Sequence, residues 1–238
     1  MSEEAQRILA HLDAVARERE RRVADPALGA AVVALKAYQQ QRFARTYADL
    51  LASPRYSAAA RFFLDELYGP KDFSQRDAQF ARVVPGLVRL FPHDIVSTVE
   101  ELARLHAVSE GLDTAMATCL VGQVVDARSY VRAWQLTGQP SQRDLQIECT
   151  LRVGRDLDRL TRKPLLRTSL HLMRGPARAA GLPALQQFLE CGFDTFKAMG
   201  GAGEFLATVE FRERSLARAL FEASPDDGPD APALGQLP

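Results

Sequence analysis

The chain has 238 residues, 47% of them hydrophobic and 25% charged, and its 30 basic and 30 acidic side chains cancel. That balance excludes the uniformly basic surface of a non-specific nucleic-acid binder and the acidic, core-poor composition of a disordered chain. The length suffices for one well-buried core or two smaller ones. Cys119, Cys149 and Cys191 lie far apart and form no Cys-x-x-Cys pair. Neither a disulfide framework nor a zinc site is expected; they read as small buried apolar side chains in a reducing compartment. The opening MSEEAQRILAHLDAVARERERR has no apolar run, unlike a secretory signal. No window approaches the roughly 18 apolar residues of a membrane span. A cytoplasmic protein without a membrane partner is expected.

Apolar residues recur three or four apart throughout, and period-two runs of Val, Ile and Thr are missing. The fold class is therefore all-α: a single compact, bundle-like domain of about eight or nine helices. The first helix, over 3–23, carries only the thin apolar line Ile8, Leu12 and Val15, and reads as peripheral and loosely docked. Asp25-Pro26 starts a helix to about Leu51, since proline suits a first turn. Ser53-Pro54 is read as an N-cap and first helical residue, opening a helix to 68 that Gly69-Pro70 stops. Phe62 and Phe63 point about 100° apart on it and would wedge into two neighbours. Ser74 is read as the next cap, with Asp77 as the acidic partner of a capping box. Pro85 is expected to kink or split that helix, and Pro92 to end it.

A long helix follows over 94–121, then a shorter one over 126–137 with Tyr130 and the only tryptophan, Trp134. Ser141 is read as the cap of the next, which reaches Arg162. Pro164 opens a helix that meets a break at Gly175-Pro176. Pro183 opens another through Met199, and Gly200, Gly201 and Gly203 form a hinge before the last helix, over 203–222. The domain reading is a peripheral helix over 1–25, a helical domain over 26–222 and a disordered tail over 223–238, whose Pro, Asp and Gly cannot build a core.

The sharpest electrostatic feature is 159–189, which has no Asp or Glu but carries Arg159, Arg162, Lys163, Arg167, Arg174 and Arg178. Arg167, His171, Arg174 and Arg178 step by four, three and four and would share an arc of about 60° on a continuous helix. A line of planar guanidiniums suits phosphate or carboxylate. Its bland counterpart is pairing with acids on neighbouring helices, such as those of 94–113. Aromatics do not interleave with these bases, which disfavours nucleic acid. Tyr68, Asp72, Arg76 and Asp77, at the Gly-Pro corner, form a secondary candidate surface. His106 lies beside the apolar stripe of the long helix. It could ligate a haem iron, but such a histidine is far more often a bonded core residue. No Glu-x-x-His, His-Glu-x-x-His or Gly-x-Ser-x-Gly pattern exists, so no catalytic residue and no metal ligand are assigned. The Gly200–Gly203 turn follows a helix rather than a strand, which makes it a poor phosphate cradle.

The stretches FFLDELYGPKDFSQRD, DRLTRKPLLRTSLHLMRGPARAAGL and LQQFLECGFDTFKAMGGAGEFL resemble an uncharacterised family of bacterial helical proteins, over about Tyr38 to Phe221. The resemblance implies a single intracellular domain and transfers no activity, ligand or catalytic residue. The leading expectation is a non-enzymatic binding or adaptor protein using the face of Arg167, His171, Arg174 and Arg178 for an anionic ligand or an acidic protein surface; any cofactor is unknown. The alternative is a small-molecule or haem-binding protein, or an enzyme, with its pocket inside the bundle near His106, Tyr130 and Trp134. A dry, filled core would favour the first; an internal cavity lined by aromatics and a few convergent polar groups would favour the second.

Overall fold

The computed structural model describes residues 2–66, 70–224 and 235–238. Twelve helices and no strand occur among them. The all-α reading holds; the extra helices come from breaks that the sequence hides.

The Ser2 hydroxyl accepts from the Ala5 N–H to start α1 (Glu3–Ala24). Asp25 accepts from the N–H groups of Ala27 and Leu28 at 3.0 and 3.1 Å to start α2 (Pro26–Thr46). The expected single helix through Leu51 ends at Tyr47, whose ring is fully buried and whose hydroxyl donates to Glu213 at 2.7 Å. A short α3 (Ala48–Ala52) follows. Pro54 does not open a helix. Residues 53–56 form a turn closed by the Ser57 N–H on the Ser53 carbonyl, and α4 runs Ser57–Glu66.

For α5 (Ser74–Leu90) the capping side chain is Asp72, not Ser74: its carboxylate accepts from the Ser74 N–H at 2.8 Å and hydroxyl at 2.9 Å. The expected capping box is absent because Asp77 faces inward. The helix also runs unbroken through Pro85. α6 (His93–Thr118) is the longest. α7 (Ala127–Thr137) opens on a capping box, with Asp126 and Ser129 each accepting from the other's N–H. Gln139, at φ 59°, turns the chain left-handed so that α8 (Pro140–Thr161) starts at Pro140 rather than from a Ser141 cap.

The basic segment is two helices, α9 (Pro164–Leu172) and α10 (Arg174–Ala179), broken at Met173. Pro176 sits in the first turn of α10, where its missing N–H costs nothing. Then come α11 (Pro183–Ala198) and α12 (Gly203–Glu222). No described helix is long and apolar enough to cross a membrane.

Helix α6 is the axis of the bundle, flanked by α1, α2, α7 and α8; α8 in turn carries α11 and α12, and α11 carries α4, α5, α9 and α10. Phe62 and Phe63 do diverge as a wedge. Phe62 stacks on Phe188 of α11, with ring centroids 5.5 Å apart, while Phe63 meets Phe196 of α11 and Phe205 of α12. Gly192 permits that approach, since a Cβ there would lie 3.1 Å from the Phe62 ring.

The apolar side chains do not merge into one core. One cluster joins α2, α6, α7 and α12 around Leu35, Tyr130 and Leu220; a second joins α2–α4, α8, α11 and α12 around Tyr47, Phe63 and Leu151; a third joins α1, α5 and α6 around Ile8, Val84 and Val96. The third cluster corrects the expectation of a loosely docked first helix: Ile8 is wholly buried and α1 packs along α6. Most of the expected disordered tail falls on 225–234, outside the described residues. Beyond it, Leu237 is buried in the first cluster, and its carbonyl accepts from Arg45 at 2.8 Å.

Candidate functional site

The three clusters leave space between them. A cavity of about 570 Å³, open to solvent on one side, is lined by residues of all three, including Phe43, Phe62, Phe63, Leu102, Tyr130 and Trp134. That volume lies within the roughly 300–1,000 Å³ of ordinary ligand pockets.

Its inner wall is polar and buried. Arg42, from α2, is 5% exposed and donates to Glu213 of α12 at 2.5 Å, on the carboxylate oxygen that Tyr47 also uses. Arg143, from α8, is 3% exposed; its guanidinium stacks on the Trp134 ring at 3.9 Å and reaches the Met116 sulfur at 3.5 Å. Lys36 donates to Glu110 at 2.6 Å and stands 3.7 Å from Asp113, which also accepts from Gln39. Burial would raise the Glu110 pKa, but Lys36 and Arg22 outweigh it and hold the carboxyl at about 2. Asp113 goes the other way: burial pushes its pKa up, Glu110 adds to the rise and Lys36 only partly opposes it. The Trp134 Nε1 and the Tyr38 hydroxyl are buried with no hydrogen-bond partner among the described residues.

A second polar group lies along the wall. Asp77 is 8% exposed and accepts from Arg19 at 2.5 Å and from Arg76 at 3.4 Å, with His106 Nε2 at 2.8 Å. Burial opposes ionisation there, but His106, Arg76 and Arg19 prevail and hold its pKa at about 2.

Those lining residues that are also exposed locate the mouth. They are Arg82, Leu90, Phe91, Met173 and Leu189, from α5, the α9–α10 junction and α11. Arg82 closes one edge by donating to the carbonyls of Ala180 and Gly181.

The four residues of the expected basic face are exposed. The break at Met173 removes the continuous helix on which their shared arc depended. Arg167 pairs with Asp194 at 2.9 Å, and Arg174 grips Glu190 with two nitrogens. Both acids come from α11; the 94–113 segment supplies only Asp94, paired with Lys163. Among the described residues Arg178 has no ion pair. Of the secondary surface, Asp72 is exposed, whereas Arg76 and Asp77 face inward, Arg76 lying over the rings of Phe73 and Phe188. Tyr68 lies outside the described residues.

His106, Tyr130 and Trp134 all line the cavity. His106 Nε2 is already engaged by Asp77, so haem ligation through that nitrogen would break the bond. No cluster of three metal-ligating side chains occurs among the described residues. At the glycine turn, the Ala202 N–H is taken by Asp158. Cys149 is buried, Cys119 is partly so and Cys191 is exposed, which corrects the expectation of three buried thiols.

Sequence reasoning missed Lys36, Gln39, Arg42, Asp113, Arg143 and Glu213. A signal was present for some of them. Arg42 falls in phase with Leu35 and Tyr38, Arg143 with Ile147 and Leu151, and Glu213 with Val209, Leu216 and Leu220. A charge in register with a buried stripe is turned inward with it: Arg42 and Arg143 are buried and Glu213 is half-buried.

An all-helical protein with a cavity walled by aromatic rings and buried ion pairs is the class these features define. The chain belongs to the family described as a domain of unknown function (DUF8198), whose model matches residues 18–227. No curated protein and no solved structure matches it.

Proposed function

We propose that the protein binds a small molecule in the cavity at the centre of its bundle. The observation that carries this reading is the meeting, in one cavity of about 570 Å³, of aromatic walls with buried or half-buried charged side chains from four separate helices, among them Lys36, Arg42, Asp113, Arg143 and Glu213. Burying charges is costly unless each is paired and hydrogen-bonded. A filled apolar core would stabilise the fold as well, so the polar wall is better accounted for by recognition than by folding. The surface alternative would require a partner to displace Asp194 from Arg167 and Glu190 from Arg174.

Native mass spectrometry of gently purified protein tests the reading, because a ligand held among mostly buried side chains survives transfer. A retained small-molecule mass, lost when the cavity is blocked by Leu102→Trp, is the expected result. Protein that carries no added mass and whose Trp134 emission responds to no compound in a metabolite and lipid screen would refute it.

A further inference from the structure

The mouth of the cavity is ringed by apolar side chains that face water. Half of the large apolar side chains exposed among the described residues gather there or on the helix beside it: Leu90 and Phe91 at the end of α5, Leu165, Leu172 and Met173 along α9 and its break, and Leu189 on α11. Single exposed apolar residues are ordinary, but a group of them around one opening marks a surface that meets something other than water. Helix α9 is apolar on two sides. Leu166 and Leu170 line the cavity, while Leu165, Thr168, Ser169 and Leu172 form an outward stripe that is exposed and carries no charge. Leu165 and Leu172 are 76% and 73% exposed, so neither serves the core.

The charge around this mouth is positive once partners are assigned. The acid of α5, Asp77, faces inward, and α9 and α10 have none. Those of α11, Glu190 and Asp194, are taken by Arg174 and Arg167, and Asp94, just beyond Phe91, by Lys163. Three exposed arginines remain without a carboxylate. Arg82 donates to the carbonyls of Ala180 and Gly181. Arg89, two turns further along the same side of α5, and Arg178 of α10 have no ion pair among the described residues.

Apolar side chains flanked by cations suit an anionic lipid surface, where the first enter the boundary between headgroups and acyl chains and the second meet the negative surface potential. A folded protein seated on this patch would seal the cavity, whereas a bilayer leaves its mouth facing acyl chains. No described helix can cross a membrane, so the contact is peripheral. The expectation of no membrane partner rested on the lack of a spanning segment, which does not bear on such a contact.

We propose that the mouth of the cavity docks on an anionic lipid surface, with Leu90, Leu165, Leu172 and Met173 inserted and Arg82, Arg89 and Arg178 among the headgroups. The docking does not depend on the cavity holding a ligand; where it does hold one, a compound dissolved in the bilayer reaches the site without crossing water.

Flotation of the full chain with phosphatidylcholine vesicles, with and without phosphatidylglycerol, tests the proposal. The protein should float with the phosphatidylglycerol vesicles and hardly with phosphatidylcholine alone, and the bound fraction should fall as salt is raised. Arg89→Ala and Arg178→Ala should each weaken partition about fivefold. Leu165→Asp and Leu172→Asp, at exposed positions and checked for folding by circular dichroism, should abolish it. Phe211→Asp, at a position 72% exposed on α12 and outside the cavity lining, should not. Failure to float with phosphatidylglycerol vesicles at low salt, flotation unchanged in Leu172→Asp, or equal binding of both vesicle types overturns the proposal. So does self-association that Leu172→Asp breaks while vesicles stay unbound, which would make this face an interface between copies of the chain. Leu102→Trp, which blocks the cavity, should float as the wild type does, so failure of the docking and failure of the cavity reading are told apart.

Discussion

At the residue scale, the stability of this protein depends on where it has put its charges. Asp77 joins Arg19 of α1, Arg76 of its own helix and His106 of α6, so it fastens three helices at one buried point. Removing one partner of a buried ion pair typically costs about 3–5 kcal/mol, because the others keep their charge without compensation. Asp77→Asn should therefore lower the free energy of unfolding by about 3 kcal/mol at neutral pH, measured by denaturant titration. The pH dependence follows from the same group. The folded pKa of Asp77 is about 2 against an ordinary 3.8, and that of Glu110 about 2 against 4.5. Both are depressed, so the unfolded chain takes up protons first as the pH falls. Their contribution is complete above the ordinary carboxylate range and is lost as pH drops from about 4.5 to about 2. Thermal melts across that window should show a steep loss of stability in the wild type and a shallower one in Asp77→Asn. Phe63, 5% exposed between Phe196 and Phe205, gives an apolar comparison. Phe63→Ala should cost about 3–5 kcal/mol, with no such pH dependence.

At the element scale, α7 matters most to the site, since it carries both Tyr130 and Trp134 into the cavity wall. It is only 11 residues long and relies on the Asp126–Ser129 capping box to fix its first turn. Asp126→Ala should cost about 1 kcal/mol and shift Trp134 emission to the red as the helix start frays. An unshifted spectrum would mean that tertiary packing alone holds the ring. Much at this scale was legible in the sequence. Asp25-Pro26, Pro92, Gly138 and Pro183 mark helix boundaries because capping and proline geometry act within a few residues. The failures were also local in appearance but tertiary in cause. Tyr47 ends α2 while its hydroxyl is engaged across the bundle by Glu213 of α12, and no rule about neighbours along the chain anticipates that.

At the scale of the whole molecule, the helices pack as three apolar clusters around a cavity instead of one filled core. Such an interior forgoes packing contacts that a ligand would restore. A compound present at a hundredfold its Kd stabilises the state that binds it by about 2.7 kcal/mol. Extracting any compound retained by the purified protein should lower its melting midpoint, and adding it back should restore the original value, followed by circular dichroism. The basic segment also looks different at this scale. Its arginines form a long run without acids in sequence, yet α11 lies against α9 and α10 and supplies Asp194 and Glu190, so the excess of charge belongs to the segment more than to the surface.

The sequence by itself determined the all-helical class, most helix boundaries and the wedge of Phe62 and Phe63, because periodicity, caps and prolines act over a turn or two of chain. Tertiary structure alone decided which charges turn inward. Lys36, Arg42, Asp113, Arg143 and Glu213 come from positions as much as 177 residues apart, and each is tolerable in the interior only because the others are there. That mutual dependence has no local signature, and it is what makes the cavity the candidate site.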